Sequence, residues 1–278
     1  MSTPLLSICI PTRNRADLLD YCLEKLHGLA DYGIDFEVVV SDNSQTNDSE
    51  KVVEKHARSM KGLVYCHQPN ERDVPVGYLN SVRNSKAQYV TYLADDDSLI
   101  FEPLVRYVRK LEANPQLVAI AADWIAYDDE EERELHRNFR FRDAVAFEPT
   151  NPLGLVNFLI ENCVYPDIHI VRREALLKSD CIGPRFRYGA LRWIYRVARL
   201  GVVAFEVEPF YRENRRVKSR FELSPHGRQD TDSYRMRLQL IGDEVRNELE
   251  VLFLWAAQDS GLSHMCGRRT ETVLIQPE

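Results

Sequence analysis

Residues Tyr89–Asp97 read Tyr-Val-Thr-Tyr-Leu-Ala-Asp-Asp-Asp, an apolar run that ends in three consecutive aspartates. A short apolar run bounded by polar residues predicts a buried strand, so the aspartates lie just past its carboxyl end. Three adjacent carboxylates repel one another, and a hard divalent cation such as Mg²⁺ or Mn²⁺ relieves that repulsion. The stretch therefore predicts a metal site at Asp95, Asp96 and Asp97. An alternative is that these acids only stabilise the N-terminus of a following helix.

Upstream of this stretch, strand and helix patterns alternate along the chain. The predicted strands are Leu5–Ile10, Phe36–Ser41 and Leu63–His67, and the predicted helices are one capped by Asn14, then Ser49–Ala57 and Val76–Ser85. Such alternation with short connections favours an α/β fold with a mostly parallel sheet and helices on both faces. Ligands in these sheets bind beyond the carboxyl ends of the strands. We therefore expect Pro11–Arg15, Asp42–Ser44 and the aspartate triplet to converge on one crevice.

The second half of the chain has a less regular pattern. It is predicted to contain helices over Pro103–Ala113, Asn151–Asn162 and Leu191–Leu200, strands over Leu117–Trp124, Asp167–Val171 and Val202–Val207, and a long helix over Thr231–Gln258. The acidic run Asp128–Glu134 is interpreted as a solvated surface segment. The basic loop Tyr211–Arg220 could bind a diphosphate, because arginine binds phosphate oxygens bidentately, or could simply be solvated.

The composition restricts the class of protein. The chain has 278 residues, a net charge of −7 and 44% hydrophobic residues, as in a soluble globular protein. An acidic chain is a poor nucleic-acid binder, so no nucleic-acid partner is expected. No apolar run is long enough to cross a bilayer, and the six scattered cysteines indicate a reducing compartment. We expect a cytoplasmic protein, with a peripheral position at the inner face of the membrane as the alternative.

Three stretches together resemble a known family. They are Ser7–Arg15 (SICIPTRNR), Val38–Ser44 (VVVSDNS) and Gln88–Asp97 (QYVTYLADDD). They are similar to the first strand, the second strand and the approach to the DXD motif of family 2 glycosyltransferases, which have the Rossmann-like GT-A fold. The resemblance covers residues 5–125 and continues weakly to residue 215. It implies transfer of a sugar from a nucleoside diphosphate sugar.

The resemblance also implies roles for single residues. Pro11, Thr12, Arg13 and Arg15 would belong to the nucleotide site, Asp42 would contact the base, Arg72 would lie near the base or the phosphates, Asp95 would meet the ribose, and Asp95, Asp96 and Asp97 would form the metal site. The register within the triplet is open by one residue, because Ala94 stands where many members carry the first aspartate. UDP is the expected nucleotide, with Mn²⁺ or Mg²⁺ as cofactor.

The same resemblance divides the chain into three parts. Residues 1–125 would bind the nucleotide sugar, residues 126–225 would form the acceptor half of the same GT-A domain, and residues 226–278 would be a C-terminal helical extension. That extension is a candidate contact for a homo-oligomer or for a further domain.

Two positions depart from the family pattern. Ala190 stands where inverting members carry their catalytic aspartate, and alanine cannot act as the general base that such a transferase requires. Asp123 and Asp167, both predicted at strand ends, are the alternative bases. Asn214 stands where the family often has a histidine, so Asn214 and His226 are candidate substitutes for a third metal ligand.

The sequence therefore predicts a metal-dependent glycosyltransferase. Its acceptor would be a glycan, a lipid-linked glycan or another hydroxyl compound, in the biosynthesis of cell-surface polysaccharide. Because of Ala190, a degenerate sugar-nucleotide-binding domain without activity is the alternative. A nicotinamide-dependent oxidoreductase is disfavoured, since no G-x-G-x-x-G follows the first strand.

Overall fold

The computed structural model describes residues 3–69, 74–137, 139, 141–162, 164–180, 190–214 and 251–260. Its strands are β1 (Leu6–Thr12), β2 (Phe36–Asp42), β3 (Leu63–His67), β4 (Tyr89–Tyr92), β5 (Ser98–Leu99), β6 (Leu117–Asp128), β7 (Arg133–Arg137), β8 (Val145–Phe147), β9 (His169–Arg172) and β10 (Val202–Asn214). Its helices are α1 (Ala16–Leu26), α2 (Asp48–His56), α3 (Val74–Asn84), α4 (Phe101–Ala113), α5 (Pro152–Glu161), α6 (Arg173–Ser179) and α7 (Ala190–Ala198), a 3-10 helix over His27–Tyr32, and helical residues 251–259.

The strands form one sheet in the order β3-β2-β1-β4-β9-β6-β10-β5, with β7 beside β6 and β8 beside β10. The part of the sheet made of β1–β4 is parallel, because β1 pairs in parallel with β2 and β4, and β2 with β3. Strand β9 then lies antiparallel between β4 and β6. The α/β class is confirmed, and the antiparallel strands enter with the second half of the chain.

Hydrophobic cores cover both faces of this sheet. Side chains alternate between faces along a strand, so Ile8 and Ile10 of β1 pack into a cluster with residues of α1 and α4. Cys9, between them, packs into a second cluster with residues of α3, α5 and α7. Helices thus cover both faces of the sheet, as predicted. The carboxyl edge of the strands is therefore the part of the sheet where a ligand can bind.

The loop after β1 differs from its prediction in one respect. Asn14 is not a helix cap: its φ is +54°, and the capping position is Arg15, whose side chain makes no capping hydrogen bond. Asparagine tolerates this left-handed conformation better than most residues. Its amide donates instead to Ser44 Oγ at 2.7 Å, which joins the loops after β1 and β2.

Strands β6 and β10 are longer than predicted. β6 continues to Asp128, and the exposed segment Arg133–Arg137 returns along it as β7. β10 runs through Tyr211 to Asn214, so the first part of the predicted basic loop is a strand. Because β10 also pairs with β5, which directly follows the aspartate triplet, its end lies against the triplet.

A buried carboxylate joins β1, β2 and the segment before β4. Glu37 is 4% exposed. Its Oε1 accepts from Ser7 Oγ at 2.6 Å and from the amides of Lys86 and Ala87 at 2.5 and 3.2 Å. Three donors from two other segments therefore depend on one acceptor. Within the described residues, none of the helices has the length and apolar character of a membrane span.

We predict that Glu37→Ala lowers the free energy of unfolding by about 2–4 kcal/mol, because Ser7 and the two amides lose a buried acceptor. Urea denaturation measures the change. The matched control is Glu54→Ala, on the exposed face of α2, which should change stability by no more than about 0.5 kcal/mol. Equal stabilities of the two variants would contradict the role assigned to Glu37.

Candidate functional site

The aspartate triplet lies in the turn between β4 and β5, at the carboxyl edge of the sheet. Asp95, Asp96 and Asp97 are 0%, 1% and 3% exposed. The turn is closed by the amide of Asp97, which donates to the carbonyl of Ala94 at 3.2 Å. Three buried carboxylates in succession need compensating charge or donors, since a desolvated charge is costly.

The loop after β1 supplies part of that compensation. Thr12 Oγ1 donates to Asp95 Oδ2 at 2.6 Å. The Arg15 guanidinium donates from Nε to the same oxygen at 3.1 Å and from Nη1 to Asp96 Oδ2 at 3.2 Å, and its Nη2 pairs with Asp95 Oδ1. Arg15 itself is 43% exposed, so one face of the ion pair is open to solvent. The structure thus brings together four of the residues predicted for the site, Thr12, Arg15, Asp95 and Asp96.

The pKa of Asp95 shows that this compensation is incomplete. Burial raises the pKa of its carboxyl group to about 6. Arg15 and Thr12 oppose the shift, whereas repulsion from Asp96 adds to it. The carboxylates therefore still repel one another with Arg15 in place. Carboxylate oxygens are the ligands that Mg²⁺ and Mn²⁺ prefer, so the donor set fits a divalent cation.

Strand β10 holds the third aspartate. Tyr211 donates its hydroxyl hydrogen to Asp97 Oδ2 at 2.7 Å, and the amide of Asn214 donates to Asp97 Oδ1 at 3.0 Å. The side-chain amide of Asn214 donates to the Asp96 carbonyl at 3.1 Å. Asn214 is thus at the triplet, as a hydrogen-bond donor. Sequence reasoning did not identify Tyr211 as a contact of the triplet, because its separation from Asp97 along the chain gives no local signal.

Asp42 is placed at the end of β2, opposite Thr12 in the parallel register. It is fully buried. One carboxylate oxygen accepts from the amide and hydroxyl of Ser44, and the other accepts from Tyr65 Oη at 2.7 Å. Asp42 therefore shapes the turn after β2 and fixes Tyr65. These contacts fit a role for Asp42 in capping the turn, and they also fit a position beside the base of a bound nucleotide.

Near these strand ends, some buried polar atoms have no hydrogen-bond partner. They are Arg13 Nε, Asn43 Oδ1 and Arg212 Nε. A buried donor or acceptor without a partner is costly, and at a binding site such atoms are available to a ligand. The backbone is also crowded here, since a Cβ added to Gly77 would lie 3.1 Å from Pro11 Cβ and 3.2 Å from Asn43 Nδ2.

A cavity of about 780 Å³ lies between the loops after β1 and β2. Its wall includes Asn14, Arg15, Ser44 and Thr46. The volume is in the range of pockets that hold nucleotide-sized ligands. Because Arg15 lines the cavity and also pairs with Asp95 and Asp96, it joins this cavity to the triplet.

Asp123 and Asp167, the two candidate general bases, have different surroundings. Asp123 is 2% exposed, and its Oδ1 accepts from the amides of Trp124 and Phe139 at 2.8 and 3.0 Å. Asp167 is on the surface. Its pKa is nevertheless raised to about 6, because nearby protein removes water from the carboxylate and Glu213 repels it.

Asp167 and the triplet influence the same tyrosine. The hydroxyl of Tyr92 has a pKa raised well above its usual value by burial and then by Asp167 and the three aspartates. Asp167 and the three aspartates therefore all act electrostatically on one hydroxyl group.

The remaining predicted residues are Ala190, Arg72, His226 and the basic cluster after β10. Ala190 begins α7, is 5% exposed and belongs to the second hydrophobic cluster. Arg72 and His226 lie outside the described residues, as do Arg215, Arg216, Lys218 and Arg220 of the basic cluster. Arg212 is described, and its guanidinium lies 4.6 Å from the centre of the Tyr127 ring.

Solved structures with similar folds contain nucleotides. TarS 1–349 of S. aureus in complex with UDP aligns with a TM-score of 0.57 and 16% identity, over 76% of this chain and 60% of that chain. The mannosyltransferase PcManGT of Pyrobaculum calidifontis, in complex with GDP-Man and Mn²⁺, aligns with a TM-score of 0.53 and 14% identity, over 96% of this chain and 75% of that one. At these identities the likeness concerns the fold, which is that of the GT-A glycosyltransferases.

Curated relatives match part of the chain. The GalNAc(5)-diNAcBac-PP-undecaprenol beta-1,3-glucosyltransferase of Campylobacter jejuni is 30% identical over 108 residues, which is 38% of this chain and 34% of that protein. Abequosyltransferase RfbV of Salmonella typhimurium is 24% identical over 136 residues, 49% of this chain and 41% of that protein. The matches thus span between a third and a half of these relatives' lengths.

The family described as Glycosyl transferase family 2 matches residues 7–180. This range includes β1 with Thr12, the Arg15 loop, Asp42, the aspartate triplet and Asp167. The chain therefore belongs to glycosyltransferase family 2.

Proposed function

We propose that this protein transfers a sugar from a nucleoside diphosphate sugar, with UDP as the nucleotide, to a hydroxyl group of a glycan acceptor. The observation that carries the proposal is the joining of Thr12, Arg15 and the aspartate triplet at the strand ends. Family membership and the UDP complex of a structural neighbour agree with it.

The donor would lie across two adjoining regions. The nucleoside would occupy the side of β1 and β2, where Arg13 Nε and Asn43 Oδ1 have no partner and Asp42 fixes the turn. The diphosphate would lie towards Asp95–Asp97. Arg15, half-exposed between the two regions, would contact the phosphates by turning part of its guanidinium away from Asp95.

A divalent cation would be held by carboxylates of Asp95, Asp96 and Asp97. When bound, it supplies positive charge that stabilises the departing nucleoside diphosphate. Tyr211 and Asn214 would orient Asp97 for this role through their hydrogen bonds. The Mn²⁺ in the complex of one structural neighbour supports the choice of Mn²⁺ or Mg²⁺.

The general base is assigned to Asp167 rather than to Asp123. A base needs an accessible carboxylate with a pKa near the working pH, and Asp167 has a raised pKa of about 6 and an exposed surface. Asp123 is buried and its Oδ1 accepts from two backbone amides. Glu213 faces Asp167 and contributes to the shift of its pKa.

A second candidate function keeps nucleotide-sugar binding without transfer. Ala190, at the position where the resemblance implies a catalytic aspartate, is the observation that favours it. Under this alternative the triplet and Arg15 would still bind nucleotide and metal, and Asp167 would have no catalytic role.

The acceptor would be a glycan of a cell-surface polysaccharide, carried on a lipid. The name of one relative gives a PP-undecaprenol-linked glycan as its substrate. Such acceptors lie at a membrane, so we place the protein in the cytoplasm, at the inner face of the membrane. A homo-oligomer or a further domain attached through the C-terminal segment remains part of this proposal.

The metal site is tested by calorimetric titration with UDP in Mn²⁺ and in EDTA. We expect UDP to bind more tightly with Mn²⁺, because the cation joins the diphosphate to the triplet. Asp96→Asn should remove this difference, whereas Asp31→Asn, an exposed control in the 3-10 helix, should keep it. Equal UDP affinity with and without metal in the unsubstituted protein would refute a metal–diphosphate site.

The role of Asp42 is tested with two variants. Asp42→Ala should weaken UDP binding by about 1–3 kcal/mol, the value of a lost buried hydrogen bond to a charged group. Tyr65→Phe removes only the hydroxyl that donates to Asp42 and should keep most of the affinity. If Asp42→Ala lowers the melting temperature but the folded protein binds UDP normally, Asp42 is a turn cap only.

The role of Asp167 as general base is tested by measuring the transfer rate of an Asp167 variant and by adding a second substitution that could restore transfer. Asp167→Asn should lower the transfer rate by about 10²–10⁴-fold while UDP binding persists, because general-base catalysis contributes that much. Transfer by the unsubstituted protein should fall as the pH drops through about 6, where Asp167 gains a proton. Adding Ala190→Asp to Asp167→Asn should restore transfer only if residue 190 reaches the acceptor hydroxyl, as the family resemblance implies, because Ala190 is 5% exposed within the second hydrophobic cluster.

Asp123→Asn is the control, and it should retain transfer at the same pH dependence. NMR of the product's anomeric carbon then reports inversion or retention. Brisk transfer by Asp167→Asn would remove Asp167 as the base. Nucleotide binding with no transfer by the unsubstituted protein would favour the second candidate function.

A further inference from the structure

Helices α1 and α2 bring two histidines together away from the strand ends. His27 follows the last residue of α1, and His56 is the last residue of α2. His27 Nε2 and His56 Nδ1 lie 3.0 Å apart. Glu24, one turn before His27, offers a carboxylate oxygen, and the three ligand atoms all lie within 4.8 Å of one another. The proposed transfer reaction uses none of these side chains.

The orientation of His56 is fixed by a carboxylate. His56 is 2% exposed, and its Nε2 lies 2.6 Å from Asp20 Oδ1. Because an ionised carboxylate only accepts hydrogen bonds, Nε2 must carry a proton. In the neutral ring the other nitrogen, Nδ1, then presents its lone pair towards His27. Lys55 Nζ holds the same Asp20 carboxylate at 2.7 and 2.8 Å.

This arrangement is that of a metal-ligand histidine with its supporting carboxylate. Histidines that bind metals usually donate their second ring N–H to a carboxylate, which fixes the tautomer and raises ligand basicity. In a tetrahedral zinc site with Zn–N bonds of about 2.0–2.1 Å, two nitrogen ligands lie about 3.3 Å apart. The observed 3.0 Å separation needs only a small opening to reach that value.

We propose that Glu24, His27 and His56 bind a Zn²⁺-class ion, with Asp20 as the positioning residue. Water would complete the coordination, as in zinc sites with three protein ligands. Without the ion, His27 donates a hydrogen bond from Nε2 to His56 Nδ1. To bind the ion, His27 moves that proton to Nδ1, so that both facing nitrogens become ligands and no proton is lost.

The site is separate from the triplet in position and in chemistry. Arg15 precedes α1 and His27 follows it, so about 18 Å of helix lies between them. Two imidazoles and one carboxylate suit zinc and its neighbours in the transition series, whereas Mg²⁺ and Mn²⁺ prefer carboxylate oxygens. Because its ligands come from α1 and α2, the ion would join these helices and stabilise the fold.

The experiment is a calorimetric titration of the full chain with ZnCl₂ in excess Mg²⁺, accompanied by thermal melts. We expect one equivalent of zinc to bind and to raise the melting temperature. Glu24→Gln and His27→Gln should each weaken binding by more than tenfold. Asp20→Asn should weaken it by about 10–100-fold, as for other carboxylates that support a metal-ligand histidine.

Two controls distinguish this site from others. His136→Gln removes an exposed histidine of β7, and Asp96→Asn changes the triplet; both should bind zinc like the unsubstituted chain. Glu24 is exposed, so its substitution leaves the fold intact and keeps the test valid if His27→Gln is unstable. The affinity should also fall as the pH is lowered, because protons compete with the metal ion for its ligands.

Absence of zinc binding would overturn the proposal, because His27 and His56 would then form a hydrogen-bonded pair and nothing more. Binding that survives both Glu24→Gln and His27→Gln would overturn it as well, since the ion would lie elsewhere. Neither result bears on the transfer reaction, which is measured separately with the triplet variants.

Discussion

The ion pair between Arg15 and the first two aspartates is the interaction on which the candidate site depends. The guanidinium comes from the loop after β1 and the carboxylates from the turn after β4, two strands that pair directly in the sheet. Thr12 reinforces the same junction from the end of β1. Burying three carboxylates would otherwise be prohibitive, so the loop after β1 and the triplet must form together. The cavity beside this junction is shaped by that same loop.

The second half of the chain completes the site by hydrogen bonds. Tyr211 is buried and donates to Asp97, while it accepts from the amide of Ala94 at 3.2 Å. Asn214 reaches Asp96 and Asp97 through its side chain and backbone. Four donors from β1 and β10 therefore hold the triplet from two sides. A cation would enter a cluster whose carboxylates are already oriented, which lowers the entropy lost on binding.

Much of the first half of the sheet, β1–β4, could be predicted from sequence because its signals are local. The apolar run of β2, for example, ends at Asp42, and the parallel order of β1–β3 follows from alternation with helices.

The rest of the fold depends on contacts that local patterns do not encode. Glu37 appears in sequence as an ordinary acid in a strand, and only its position beside Ser7 and Ala87 makes it a buried acceptor. Likewise, β9 lies antiparallel between two strands that precede it in sequence, and no periodicity specifies that. The residue type of Asn14 predicts a helix cap, but asparagine favours left-handed turns as well, and the structure has the turn.

The separation of β10 from the triplet has a consequence for folding. Asp97 is 114 residues from Tyr211 and 117 from Asn214, so these contacts close a very long loop. Long-range pairings form late, because loop entropy is lost before the contacts stabilise the chain. During synthesis the first four strands and their helices emerge long before β10 does. The acidic turn therefore spends that interval without Tyr211 and Asn214, and it acquires its final shape only when the chain has been made almost to the end of the sheet.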